Sequence, residues 1–319
     1  MTNLSNMTSK MSIYSEDNPR IINADTKNAD AKNGAVSLSV TKVIWLGSMM
    51  LIALVGGAMT FSLENLLVFL FTTGFSLCFG HSLGMHRKLI HQSYQCPKWL
   101  EYWLVHLGVI VGLGGPFTMI RVHDLRDWAQ RQPHCHPFLG HQASFWQDAW
   151  WQLFCDIKLK NPPNIQIEDE VYQDAVYRWM EKYWMWQQLP LAIVLFSFGG
   201  INWVIWGIAA RVSVSVFGHW LIGHFAHNIG PQSWLVKNAS VQGHNIQFTS
   251  LLTMGECWHN NHHAFPGSAK LGLEAGQWDP GWWMLILLKK AGLVWDINVP
   301  HSLTEKPSTP NQHLCQVTK

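Results

Sequence analysis

Two long apolar runs near the start of the chain limit most strongly what it can fold into. Residues 43–61 and 65–83 are nearly free of charge, and each approaches the roughly 20 residues that a helix needs to cross a bilayer. Only SLEN separates the runs, which predicts a tight antiparallel pair of helices. The competing interpretation, a buried core of a soluble helical protein, fits poorly because the runs are so long and uncharged.

A second pair of apolar runs, residues 189–199 and 203–221, is joined by GGIN. Residues 99–120 are apolar too but contain Glu101, His106 and Pro116, so this weaker segment is predicted only to dip into the membrane. We therefore expect an all-α integral membrane protein, with about four transmembrane helices in two hairpins and a cytoplasmic helical cap.

The distribution of charge predicts the orientation and the ends of this domain. The two hairpin turns contain only Glu64 as a charge, whereas Lys and Arg gather elsewhere. By the positive-inside rule, both turns face outwards, and both termini and the basic segments are cytoplasmic. Residues 1–40 and 301–319 are predicted to be polar tails, the first of them disordered, around a membrane domain at 41–300. The net charge of +2 predicts no nucleic-acid partner.

The histidines of GECWHNNHHAFP, residues 255–266, form the clearest chemical pattern. Because an α-helix turns about 100° per residue, His262 and His263 lie about 60° and 40° to either side of His259. Three imidazoles on one stripe beside an apolar segment are typical of metal ligands rather than of isolated buried histidines. The sequence therefore predicts that His259, His262 and His263 bind a metal.

Two further histidine patterns follow apolar runs. In HSLGMHRKLIH, His86 and His91 are about 140° apart on an ideal α-helix, so both can face one site only if the helix bends or ends. In GHWLIGHFAHNIG, His227 is expected at the cytoplasmic mouth of the last run, with His224 on nearly the same face. Ionisable side chains at such depth usually face the bundle interior and serve a function. For His81, burial with a hydrogen bond and metal binding remain equally open.

The order of these motifs resembles the membrane fatty acid desaturases of the acyl-CoA and acyl-lipid type. GMHRKLIHQSY is similar to the first histidine box of that family, GECWHNNHHAFP to its third box, and GHFAHNIG to a segment that ends in a further ligand histidine. The resemblance covers about residues 40–300 and implies two iron ions held by histidines from several helices. It also implies a reaction in which O₂ and two electrons remove two hydrogens from an unactivated acyl chain.

The second histidine box of the family, HxxHH, reads HDLRD in this chain. His123 matches its first histidine, whereas Arg126 and Asp127 stand at the places of the paired histidines. Three explanations compete: Asp127, which shares a helix face with His123, replaces a histidine; nearby histidines fill the gap; or the segment is an interfacial salt-bridge cluster. In the third case the chain holds one metal or none.

The resemblance implies a ligand set and a group of neighbours that could bind metal or support the ligands. The predicted ligands are His86, His91, His123, Asp127, His227, His259, His262 and His263, and the supporting candidates are His81, His136, His141, His224, Asp124 and Asn260. For the supporting candidates, an ordinary hydrogen bond is an equally open interpretation.

The function implied is an O₂-dependent diiron desaturase of acyl-CoA or acyl-lipid. We expect its electrons from an external ferredoxin or cytochrome b5 type donor with its reductase, and membrane lipids as partners. A diiron hydroxylase or monooxygenase of acyl or alkyl chains, or a non-enzymatic membrane protein that binds metal or haem, remains as the alternative.

Overall fold

The computed structural model describes residues 18–22 and 28–300, together with the backbone of 315–317. The chain is mainly helical, as predicted, with four short strands in the described part. The α-helices are α1 Val40–Met59, α2 Leu63–Phe75, α3 Lys98–Ile110, α4 Pro116–Arg131, α5 Pro137–Gly140, α6 Phe145–Phe154, α7 Asp169–Tyr172, α8 Ala175–Lys182, α9 Gln188–Val204, α10 Arg211–Ala226, α11 Ser250–Thr253, α12 His259–Ala264 and α13 Pro280–Lys290. Two π-helical segments, Ser76–Ile90 and Ile205–Ala210, and a 3₁₀ turn, Met185–Gln187, complete the helical parts.

Three helices among the described residues are long and apolar enough to cross a membrane: Val40–Met59, Leu63–Ile90 and Met185–Ala226. Their outer faces carry exposed apolar side chains such as Leu54, which is 69% exposed. Such a surface is stable in lipid and unfavourable in water. The predicted turn SLEN is shorter than expected, because Ser62 already caps α2 by accepting a hydrogen bond from the Asn65 backbone N–H at 3.1 Å.

The third of these helices folds back on itself. Gly200 has φ of +63°, a left-handed conformation that glycine adopts without strain and that interrupts the helix. Beyond this break the chain returns along α9, so that a Cβ added to Gly207 would lie 2.5 Å from Leu195. The 42 residues of Met185–Ala226 therefore form two helical arms that meet at Gly200. These arms correspond to the second predicted hairpin.

Helix α3 lies against the first π-helical segment rather than standing alone as a span. The two backbones approach so closely that a Cβ at Gly84 would lie 2.1 Å from the Leu104 carbonyl oxygen, and one at Gly80 would lie 2.2 Å from the Leu107 carbonyl carbon. Small residues spaced four apart allow such close packing between helices in membranes. At 13 residues, α3 is too short to span a bilayer.

The N-terminal region departs from the predicted disordered tail in its described parts. Strand β1 Gly34–Leu38 pairs antiparallel with β2 Cys155–Leu159, and Ile21 forms a bridge with Ile165. Arg20 is 2% exposed. In these described parts, the chain is held by backbone pairing and by the buried Arg20 side chain, which need few apolar residues. Residues 1–17 and 23–27 of the predicted tail lie outside the described residues.

The C-terminal tail predicted at 301–319 also lies largely outside them. Its described part, strand β4 Cys315–Val317, pairs parallel with β3 Trp234–Val236.

Candidate metal centre

Four imidazoles form a first histidine group, which consists of His86, His91, His123 and His262. His91 Nε2 lies 3.1 Å from His86 Nε2 and 3.2 Å from His123 Nε2. An imidazole nitrogen binds a first-row metal at about 2.0–2.1 Å, which sets neighbouring ligand nitrogens about 3.0–3.4 Å apart. The group therefore has the spacing of a metal site, and each of its members was a predicted ligand.

The π-helical segment explains how His86 and His91 meet. The backbone N–H of His91 donates to the His86 carbonyl at 3.0 Å, an i to i+5 hydrogen bond. One turn of this helix contains more residues than an α-helical turn, so side chains five apart come to the same side. His86 and His91, which would point about 140° apart on an α-helix, can therefore face one site.

Carboxylates contact the outer nitrogens of two members of the first group. Glu256 Oε2 lies 2.7 Å from His86 Nδ1, a close contact whose angle falls short of a well-aligned hydrogen bond. Asp124 Oδ1 lies 3.3 Å from His123 Nδ1. A carboxylate at this position orients a metal-binding histidine and keeps the proton on Nδ1, which leaves the Nε2 lone pair for the metal. Asp124 therefore contacts a member of the first group from the side opposite its Nε2.

A second histidine group contains His227, His259 and His263. His259 Nε2 lies 3.1 Å from His227 Nε2 and 2.9 Å from His263 Nε2. His227 Nδ1 donates to the Gly223 carbonyl at 2.7 Å, so its Nε2 carries the lone pair. This group also has the spacing of a metal site, with one imidazole fewer than the first.

The two groups meet at α12. His262 turns to the first group, and its ring centroid lies 5.8 Å from that of His259 and 6.1 Å from that of His263. The three histidines therefore lie close together but divide between two groups. Burial lowers the pKa of His259, His262 and His263 well below the usual value of a histidine. They are neutral near pH 7, which is the form that binds metals.

The altered second box contributes one side chain to these groups. His123 belongs to the first group, whereas Asp127 faces Arg131, whose Nε lies 3.0 Å from Asp127 Oδ2. The described structure therefore brings Asp127 into an ion pair and into none of the potential metal groups. Arg126 contacts His141 Nε2 and donates to Gln152 Oε1 at 2.8 Å.

His141 and His224 converge on a carboxylate that the sequence reasoning missed. Asp148 Oδ2 accepts hydrogen bonds of 2.9 Å from His141 Nδ1, His224 Nδ1 and Trp220 Nε1. Three donors on one oxygen, beside the Arg126 cation, describe a hydrogen-bond network better than a third metal site. The network reaches the second group because the His141 ring stacks on that of His227 with centroids 5.3 Å apart. In the sequence, the feature that could have indicated Asp148 is its position as the single acidic residue of the aromatic stretch FWQDAWW.

The remaining supporting candidates have other surroundings. His136 caps α5 by accepting from the Phe138 N–H at 3.1 Å and lies outside both groups. Asn260 accepts from the backbone N–H groups of Ser233 and Trp234 at 2.8 and 2.9 Å, so it anchors the loop before β3 to α12. The His81 ring lies parallel to that of His86, with centroids 6.4 Å apart.

Known proteins with similar sequences include several desaturases. The chain is 31% identical over 223 residues to the sn-1 stearoyl-lipid 9-desaturase of Anabaena variabilis, which covers 69% of this chain and 79% of that protein. It is 31% identical over 240 residues to an acyl-CoA 5-desaturase of Anemone leveillei, covering 73% and 72%. It is also 31% identical over 226 residues to the Delta-9 acyl-lipid desaturase 2 of Arabidopsis thaliana, covering 69% and 71%. A scan against models of protein families matched none.

The fold and the site define a helical protein with helices of membrane-spanning length and paired histidine groups of metal-binding geometry. The relatives then identify the family: the chain belongs to the membrane fatty acid desaturases.

Proposed function

We propose that this protein is an O₂-dependent diiron desaturase that introduces a double bond into a fatty acyl chain. The observation that carries the proposal is the meeting of two histidine groups at α12, with His262 in one and His259 and His263 in the other. Two iron ions bound there, supplied with O₂ and two electrons, would provide the oxidising power to remove hydrogens from an unactivated chain. Imidazole is a suitable ligand for iron, and open coordination positions suit O₂ activation.

The residues of the chain hold and orient such a centre. The first group would use His86, His91, His123 and His262, and the second His227, His259 and His263. Asp124 and Glu256 would fix the rings of His123 and His86 from behind. Arg87 forms ion pairs with two carboxylates at this place: its Nη2 lies 2.8 Å from Asp279 Oδ1 and 3.7 Å from Glu256 Oε1.

An apolar groove of about 770 Å³ between α1 and α10 offers room for the acyl chain. Its wall includes Gly57, Ala210 and Gly218. Gly218 precedes His219, whose ring lies 5.1 Å from that of His81, and the His81 ring lies in turn 6.4 Å from that of His86. The residue after Gly218 is thus followed by a series of neighbouring rings that ends at His86, a member of the first histidine group. The relatives act on acyl-lipid and acyl-CoA chains by name, so either class of substrate is consistent with this groove.

The groove can be tested by filling it. A Cβ at Gly218 meets nothing within 4 Å, so we choose Gly218→Leu to fill part of the groove. We expect product to shift towards shorter acyl chains, measured by gas chromatography of total fatty acids. Gly47→Leu is the matched control, since a Cβ at Gly47 also meets nothing within 4 Å but Gly47 does not line the groove. Equal product profiles for the two variants would place the acyl chain elsewhere.

For the membrane topology, we propose that both termini and the metal centre face the cytoplasm. The basic residues outside the spans support this orientation. Electrons would then arrive from a soluble or membrane-bound donor of the ferredoxin or cytochrome b5 type.

The reaction is tested by expression in a host that lacks unsaturated fatty acids, followed by mass spectrometry of its lipids. Wild-type protein should give chains that have lost two hydrogens, and His262→Ala should give none. His136→Ala, which removes a histidine outside both groups, should retain activity. Chains that have gained an oxygen atom would instead identify a hydroxylase. Haem absorbance in purified protein that lacks non-haem iron would overturn both.

A further inference from the structure

The segment Asn18–Ile22 is held against the body of the protein by its backbone. The Ile22 N–H donates to the Asn164 carbonyl at 3.0 Å, and the Gln166 N–H donates to the Arg20 carbonyl at 2.7 Å. Asn18 Oδ1 accepts from the Arg20 N–H at 3.0 Å. These bonds fix the backbone of Arg20 and direct its side chain inwards, where it is 1% exposed.

The Arg20 guanidinium caps the end of the first π-helical segment. Nη1 donates to the Ile90 carbonyl at 2.9 Å and Nη2 donates to the Leu89 carbonyl at 3.2 Å. Carbonyls in the last turn of a helix lack partners within the helix, and a cation satisfies both their hydrogen bonds and their partial negative charge. The next residue along the chain is His91, so the cap holds the backbone from which one imidazole of the first group projects.

The same guanidinium reaches the altered second box. Arg20 Nη1 lies 3.4 Å from Asp124 Oδ2, while the other oxygen of Asp124 lies 3.3 Å from His123 Nδ1. Asp124 is itself fully buried, so the two charges compensate each other where water does not reach. One side chain is therefore connected to two of the four imidazoles of the first group, through a helix end on one side and a carboxylate on the other.

We propose that Arg20 is a positioning residue for the first histidine group, and that the N-terminal segment is thereby a part of the metal centre. The proposal rests on the metal site put forward above. Arginine suits the task because its planar fork donates to several acceptors at once, whereas lysine acts as a single compact charge. On the side of Arg20 that faces the protein surface, Glu168 Oε2 accepts a hydrogen bond from Arg20 Nε at 2.9 Å.

The test measures binding of Co²⁺ by absorption, on full-length protein purified in detergent and stripped of metal. His259→Ala isolates the first group, because it leaves only two imidazoles in the second. His86→Ala combined with His91→Ala, called the His86→Ala background, likewise leaves two imidazoles in the first group and isolates the second. In the His259→Ala background, Arg20→Gln should weaken Co²⁺ binding by about 10- to 100-fold, the usual effect of losing a partner behind the ligands. In the His86→Ala background, the same change should leave affinity within about threefold.

Two further variants separate positioning from general destabilisation. Glu168→Gln removes the outer contact of Arg20 but keeps its contacts with the π-helical segment and Asp124, so Co²⁺ affinity should hardly change. Arg20→Lys keeps the charge and should fall between wild type and Arg20→Gln. Equal loss of affinity in both groups, or none in either, would overturn the role of Arg20. Failure of the His259→Ala protein with intact Arg20 to bind Co²⁺ would overturn the metal site itself, and with it this role.

Discussion

The first histidine group has four imidazoles and the second has three, although the same helix α12 supplies both. The difference arises at the altered box, which gives His123 to the first group and nothing to the second. The second group instead has the Arg126 cation nearby, in contact with His141, whose ring stacks on His227. The two sites, which lie side by side, therefore hold unequal numbers of imidazoles. We expect the sites to differ in metal affinity.

The largest expected effect is the stepwise loss of metal. If dialysed against increasing concentrations of chelator, the protein should release its second-group metal first and pass through a state with about one metal per chain. Fewer ligands and a neighbouring cation both weaken that site. Metal analysis of each fraction measures the steps. The His86→Ala background should lack the state with about one metal per chain, because that metal is held by the first group. Release of all metal in a single step would contradict the inequality.

A gain of affinity is expected when the altered box is repaired. Arg126→His removes a partly buried cation and introduces an imidazole where the family has one, so the second group should bind Co²⁺ about 10-fold more tightly. The measurement is a titration in the His86→Ala background. Arg121→His, at an exposed position of the same helix, is the matched control. Equal behaviour of the two variants would show that position 126 does not limit the second group.

The smallest effect is expected at Asp127. Its carboxylate pairs with Arg131 at 3.0 Å, and such partly exposed ion pairs contribute about 0–1 kcal/mol. Asp127→Ala should therefore change neither product yield nor metal content by more than about threefold. A loss comparable to that of His262→Ala would restore the hypothesis that Asp127 replaces a missing histidine ligand, and would make the two groups more alike than their histidines suggest.

Local patterns allowed much of this architecture to be predicted. The uncharged runs predicted the helices Val40–Met59 and Leu63–Ile90, because the length and polarity of a spanning helix are properties of a continuous segment. The spacing of His259, His262 and His263 predicted that they border a common centre, because it depends only on the pitch of one helix. The motifs around them pointed to the family that the relatives then showed.

Other features depended on segments far apart in the chain. Neither the support of Asp148 for His141 and His224 nor the burial of Arg20 can be read from local periodicity, since their partners lie up to 148 residues away. Polar residues near a terminus resemble a tail until their partners are known. The π-helical backbone, which lets His86 and His91 meet, could likewise not be predicted from angles that assume an α-helix.

The sequence by itself determined that His259, His262 and His263 lie on one stripe of a helix, because spacing within a helix is set by its pitch. Tertiary packing alone decided how they divide, with His262 joining His86, His91 and His123 while its neighbour His263 joins His227. Adjacent side chains on α12 point about 100° apart and meet different helices, and which helices stand there is decided by the packing of the whole bundle.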